Sequence, residues 1–192
     1  MVLKVLAIGD LSNNITMFKK FTKSNIRLIN FPWDGPSKVI DAKDGVEFFK
    51  SVKVKDVLKR INEIKNEFDI CIAMSSTGLL MSYLADLNYI AYFCGHDIRS
   101  PPFIKDMHDP LSTDKPIYNF NSLERRYYKK AYDNAIAAVV TDDELLEHLK
   151  KYRDDPTRIT GYIVDSTIFN ENVKPVERKK TKFTFISPAR MG

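Results

Sequence analysis

Phe68-Asp-Ile-Cys-Ile-Ala-Met74, Ser75-Ser-Thr-Gly-Leu-Leu-Met-Ser-Tyr-Leu-Ala-Asp86 and Tyr89-Ile-Ala-Tyr-Phe93 follow one another almost without a break. The outer two blocks are short and apolar, rich in isoleucine and aromatic residues, as strands buried on both faces are. The middle block is long enough for three helical turns. Two strands joined through a helix need a crossover connection, so they lie parallel.

The same rhythm extends in both directions. Val54, Val57, Leu58, Ile61, Ile64 and Phe68 recur at helical spacing, with Lys55, Lys59, Arg60, Glu63 and Lys65 on much of the other face, which predicts an amphipathic helix. Leu3–Ile8 is a further apolar strand ended by Gly9-Asp10, after which Ser12 or Asn13 can cap a helix over 14–23. Asn25–Phe31 is the next strand, closed by Pro32 and a Trp33-Asp34-Gly35-Pro36 turn. Downstream, Asn121–Asn134 reads as a helix, Ala137–Val140 as a strand, about Asp142–Tyr152 as a helix and Ile159–Val164 as a short strand. Between them Ser100–Asn119 holds Pro101, Pro102, Pro110 and Pro116 and no sustained period; a loop of that length in a compact domain is usually functional. Strands alternating with helices specify an α/β, Rossmann-like, mostly parallel sheet with helices on both faces.

Composition sets the outer limits. The chain has 192 residues, 44% apolar and 29% charged, an ordinary globular mixture. A net charge of +5 and a pI near 9.0 suit an anionic partner without identifying one. Cys71 and Cys94 both sit in predicted strands, well apart in sequence, and read as buried reduced thiols rather than a disulfide framework. The opening residues lack a signal-peptide pattern and no window approaches the length of a membrane span, so the expected location is cytoplasmic. Asn170–Lys182 is a polar linker with five basic and two acidic residues, followed by one more strand at Phe183–Ser187. The expected organisation is a domain over 1–170, a linker over 171–182 and the opening of a second domain at 183–192.

The candidate chemistry sits after the second strand of the opening run, in Cys94-Gly-His-Asp-Ile-Arg-Ser100. Groups just past the carboxyl end of a parallel strand line the ligand crevice. His96, Asp97 and Arg99 beside Gly95 would suit a polar ligand such as a sugar; a surface turn with an Asp–Arg pair is the simpler alternative. The first turn, Gly9-Asp10-Leu11-Ser12-Asn13, has one glycine where a dinucleotide fingerprint needs three, which weighs against NAD. Ser75-Ser-Thr-Gly78 could hold an anion at a helix start, though N-capping explains the same residues. The histidines are scattered and there is no Cys-x-x-Cys pair, so no metal is expected. A P-loop and a Gly-x-Ser-x-Gly elbow are absent from the sequence. Glu124-Arg-Arg-Tyr-Tyr-Lys-Lys130 places four basic residues and two tyrosines in under two turns. That suits an anionic membrane surface, or a solvated helix whose tyrosines pack inward. No motif for nucleic acid accompanies the charge.

Taken in order, these pieces resemble the N-terminal domain of a GT-B glycosyltransferase of the family 4 type. The resemblance rests on Lys4-Val-Leu-Ala-Ile-Gly-Asp10; on Phe93-Cys-Gly-His-Asp-Ile-Arg99, similar to a His-Gly-Ser-Asp-Ile-Arg element; on Val139-Val-Thr-Asp-Asp-Glu-Leu-Leu146; and on Ile163-Val-Asp-Ser-Thr-Ile-Phe169, similar to Gly-Val-Asp-x-x-x-Phe. Phe183–Gly192 then resembles the first strand of the donor domain, with Arg190 matching the arginine that contacts the donor diphosphate. The lysine that follows it in the family, and the paired glutamates eight apart, would lie past Gly192.

The resemblance implies a retaining enzyme that moves a sugar from a nucleotide diphosphate to a glycan, lipid or small-molecule acceptor, with no metal and no cofactor beyond the donor. It assigns catalytic roles to His96 and Asp97, acceptor contacts to Gly9, Asp10, Gly95 and Arg99, and the donor diphosphate to Arg190. Aligned on Gly95 and Asp97, the family histidine falls on Cys94 and its serine on His96, so either His96 substitutes or the chemistry tolerates the change. This part alone is expected to be inactive. Two other readings stand beside it: a non-catalytic, membrane-associated subunit that recruits a catalytic partner at the inner membrane face, and a sugar-nucleotide epimerase.

Overall fold

The computed structural model describes residues 2–11, 14–31, 46–49, 53–106, 119–159 and Asn172. Among the described residues seven strands form one sheet: β1 (Lys4–Ile8), β2 (Asn25–Asn30), β3 (Val46–Phe48), β4 (Ile70–Met74), β5 (Tyr89–Phe93), β6 (Ala137–Val140) and β7 (Pro156–Arg158). Between them run α1 (Asn14–Phe21), α2 (Val54–Ile64), α3 (Ser75–Leu84), α4 (His96–Arg99), α5 (Ser122–Asp133) and α6 (Asp143–Leu149). The order across the sheet is β3-β2-β1-β4-β5-β6-β7, and every pairing is parallel. The predicted Rossmann-like α/β class holds.

Period-two alternation sorts the core into two layers. Leu6 and Ile8 of β1, Cys71 and Ala73 of β4, and Tyr89, Ala91 and Phe93 of β5 face α2, α3, α5 and α6. Val5 and Ala7, Met74 and Tyr92 point the other way, toward Ile15 of α1. The chain steps outward from β1 to β2 and β3, then returns to β4 and steps the opposite way. Right-handed crossovers made in opposite directions lay their helices on opposite faces. That reversal puts a switch point between the carboxyl ends of β1 and β4.

Two strands escape the sequence pattern. β3 has three residues and is held by pairing with β2 and by Glu47, which accepts from Arg60 Nε of α2 at 2.9 Å and pairs with Arg27 at 3.4 Å. β7 starts at Pro156, upstream of the strand expected at Ile159–Val164. Proline is tolerated at the first position of an edge strand, and Ile159 N–H donates to Val140 O at 2.9 Å. Residues 160–171, the linker apart from Asn172 and the strand expected at 183–187 lie outside the described residues. The expected α1 caps Ser12 and Asn13 do too; among the described residues Asp10 accepts from the first turn of α1.

Candidate functional site

Two glycines bring the backbone together at the switch point. Gly9, at φ +85, donates its N–H to Ile29 O at 2.8 Å. A Cβ on Gly9 would lie 2.2 Å from Met74 O, and one on Gly78 would lie 2.1 Å from Ile8 O. The end of β1 and the first turn of α3 therefore touch main chain to main chain. No loop separates β4 from α3: Ser75 begins the helix directly, at φ 66, and its Oγ accepts from Gly78 N–H at 3.3 Å. The hydroxyl thus closes the first turn of its own helix, as N-terminal capping requires.

Asp10 follows Gly9 and is 1% exposed. Its Oδ1 accepts from Ile15 N–H at 2.9 Å, and its Oδ2 from Thr16 N–H at 3.0 Å and Thr16 Oγ1 at 2.6 Å. The carboxylate fills the N-terminus of α1, the position a dinucleotide's pyrophosphate takes in a Rossmann first turn. Burial raises its pKa and the three hydrogen bonds oppose that rise.

The turn after β5 sends its three polar side chains in three directions. His96 is exposed at the carboxyl edge. Asp97 turns inward and is 4% exposed; its Oδ1 accepts from Gly95 N–H at 2.9 Å and Cys94 N–H at 3.3 Å. Arg99 reaches sideways, its Nε donating to Glu144 Oε1 of α6 at 3.0 Å. Among the described residues Asp97 Oδ2 and Ser100 Oγ are buried without a hydrogen-bond partner. Burial pushes the Asp97 carboxyl up to about 6, against the pull of the Gly95 and Cys94 amides.

Beneath this turn lies an aromatic bed that the sequence patterns do not reveal. Phe93 stacks on Tyr132 with ring centres 5.0 Å apart, and Phe103 meets Tyr132 edge-on at 4.7 Å and Tyr152 at 5.6 Å. Tyr132 Oη donates to Asp97 O. Residues 93, 103, 132 and 152 come from four segments, so only their helical or strand spacing within each segment was available beforehand.

The expected site residues thus meet in part. Gly95, His96, Asp97 and Arg99 share one turn. Gly9 and Asp10 sit at the same edge but two strands away, roughly 10 Å, with Asp10 enclosed. Arg190 lies outside the described residues. Cys94 is half-buried and Cys71 fully buried, with burial pushing the Cys71 thiol up to about 12. Among the described residues no group of His, Cys, Asp and Glu is arranged to hold a metal, and no helix is long and apolar enough to cross a membrane. A cleft of about 460 Å³ opens at the opposite, amino edge, between Lys65, Asp69, Asp86 and Asn88.

Fold and edge geometry together define the chain as a doubly wound α/β domain with a polar turn at the carboxyl edge of its sheet. No protein-family model matches the sequence, and no curated protein matches it. Among solved structures, UGT2 of Phytolacca americana, complexed with UDP-2-fluoro-glucose and pterostilbene, is similar at 13% identity and a TM-score of 0.47 over 86% of this chain and 55% of that one. A UDP-glucosyltransferase of Polygonum tinctorium is similar at 9% identity and a TM-score of 0.47, over 91% of this chain and 55% of its own. The Bordetella bronchiseptica enzyme WbmG, in complex with NAD and UDP, is similar at 12% identity and a TM-score of 0.41, over 73% and 53%. The chain spans about half the length of these structures. Likeness of this degree carries no assignment of function.

Proposed function

We propose that this domain is the acceptor side of a two-lobed, GT-B-type glycosyltransferase that moves a sugar from a nucleotide diphosphate with retention of configuration. One observation carries the reading: His96 stands exposed at the carboxyl edge on a turn whose backbone is fixed from below by Asp97. An exposed imidazole on a rigid turn can hydrogen-bond a sugar hydroxyl or the transferring group. In this assignment His96 is the catalytic residue. Asp97 positions it by holding the Cys94 and Gly95 amides, and Arg99 anchors the turn to α6 through Glu144. Departing diphosphate requires positive charge, which Arg190 would supply from the donor side. The acceptor would enter over Gly95.

The first turn favours this reading over an epimerase. An enzyme that carries NAD in a Rossmann first turn needs the α1 N-terminus for pyrophosphate, and here the Asp10 carboxylate already accepts those amides. Two anions do not share one helix start.

The test uses the complete polypeptide that contains this domain, offered a panel of nucleotide-diphosphate sugars with release of the nucleoside diphosphate as readout. His96→Ala is expected to lower kcat/KM by about 100-fold, the typical worth of a positioned acid–base or hydrogen-bonding side chain, with the fold retained by circular dichroism because the imidazole is exposed. Full activity in His96→Ala, or no turnover on any donor by the folded protein, would overturn the assignment.

A further inference from the structure

Helix α5 has two faces, and the fold accounts for only one of them. A capping box sets its start: Asn121 Oδ1 accepts from Glu124 N–H and Glu124 Oε2 from Asn121 N–H, both at 2.9 Å. From that start Tyr128, Ala131 and Tyr132 point into the core, where Tyr128 is 6% exposed and packs on Phe120 at 4.9 Å. The other face carries Leu123 at 61% and Tyr127 at 40% exposure, one turn apart. Arg126 and Lys130 lie on the same stripe, because residues three and four apart are neighbours on a helix.

The remaining charges of α5 are engaged. Arg125 donates to Phe120 O, Lys129 pairs with Asp133, and Glu124 is committed to the capping box. Among the described residues Arg126 and Lys130 make no ion pair. The stripe is therefore an apolar pair flanked by two cations, with its nearest carboxylates occupied. A tyrosine and a leucine beside arginine and lysine match the chemistry of a lipid headgroup region: apolar rings and chains enter the boundary while the cations stay with the phosphates. A dry protein groove would leave those two charges unmatched.

Placement adds a second reason. β5 and β6 are parallel, so α5 descends from the carboxyl edge to the amino edge, where Ile136 N–H donates to Tyr89 O at 2.9 Å. Its first turns, with Leu123, Arg126 and Tyr127, thus stand at the same edge as His96.

We infer that the Leu123–Arg126–Tyr127–Lys130 stripe of α5 is a docking surface for an anionic lipid bilayer, which holds the carboxyl edge of the sheet against the headgroups. This goes beyond the catalytic reading and does not depend on it. Co-sedimentation of the protein with vesicles of phosphatidylcholine alone, and of phosphatidylcholine mixed with phosphatidylglycerol, tests it. Binding is expected to the anionic vesicles and to weaken with added salt. The double variant Arg126→Gln/Lys130→Gln is expected to lose about 25-fold in partitioning, roughly fivefold for each basic residue at such a surface. Leu123→Ser/Tyr127→Ser is expected to lose anionic binding as well, with unchanged circular dichroism in both variants because all four side chains face solvent. Equal sedimentation with both vesicle types overturns the inference, as does unchanged partitioning in the Arg126→Gln/Lys130→Gln protein. Concentration-dependent self-association that Leu123→Ser/Tyr127→Ser abolishes, without vesicle binding, overturns it in favour of a second copy. None of these readouts involves nucleotide sugar, so this inference and the catalytic reading fail separately.

Discussion

Gly78→Ala is expected to destabilise the domain by about 3 kcal/mol or more, at the upper end of what overpacking costs. In an exposed helix the same change is favourable by about 1 kcal/mol, because alanine is the better helix former. Here the new methyl would lie 2.1 Å from Ile8 O, and that oxygen belongs to a central strand with neighbours on both sides. It cannot swing aside as a long side chain would. Either α3 retreats from β1, opening the layer that contains Leu79 and Met81, or the β1–β4 ladder shifts. Thermal unfolding followed by circular dichroism should show Tm lower by roughly 6–12 °C for a domain of this size. A variant as stable as the parent would mean that α3 does not approach β1 so closely. Gly9→Ala should behave alike, since its methyl meets Met74 O at 2.2 Å and its φ of +85 is itself unfavourable for a side chain.

The second large effect is a pH dependence that belongs to Asp97. Its carboxyl has an ordinary value of 3.8 and is pushed up to about 6 in the folded protein, mainly by burial, with the Gly95 and Cys94 amides and the His96 charge pulling the other way. A raised carboxyl pKa means that the folded state holds the proton more tightly than the unfolded chain does. Stability from this group is therefore complete below about pH 4 and declines as pH rises through 6, by about 3 kcal/mol across two pK units. Asp97→Asn keeps an oxygen for the two amides and cannot ionise. The unfolding free energy of the parent minus that of Asp97→Asn should thus fall between pH 4 and 7 and level off above. Taking the difference removes the carboxylates common to both proteins, Asp10 among them. A difference that is flat, or that rises with pH, would rule out a buried carboxyl held up by desolvation. The same experiment bears on the site, because Asp97→Asn should leave the turn that presents His96 in place.

Much of the architecture was legible from residue types in order. Apolar runs of strand length at 4–8, 70–74, 89–93 and 137–140, separated by amphipathic helices, allow little besides a covered parallel sheet. β3 was not legible, because three residues carry no period and the strand exists through its partner β2 and the Glu47 ion pairs. β7 at 156–158 was not legible either, since Pro156 argues locally against a strand and only an edge position admits it; of the strand expected at Ile159–Val164, all but Ile159 lies outside the described residues. Among the candidate site residues, spacing located the turn at 95–99 but not its directions. His96, Asp97 and Arg99 are equally polar in sequence, yet Asp97 is enclosed, Arg99 is paired with Glu144, and His96 faces out. Tyr127 and Tyr128 divide in the same way, one outward and one inward.

By itself, then, the order of amino acids determined the layered α/β class, the parallel sense of the strands and the edge at which polar groups collect, because hydrophobic periodicity and crossover length are local quantities. Tertiary structure alone decided which of those groups meets solvent, which becomes a buried acid, and which glycine bears main-chain contact. Such outcomes depend on which distant segments, Tyr132, Glu144 or Met74, arrive beside a residue, and no spacing along the chain encodes that arrival.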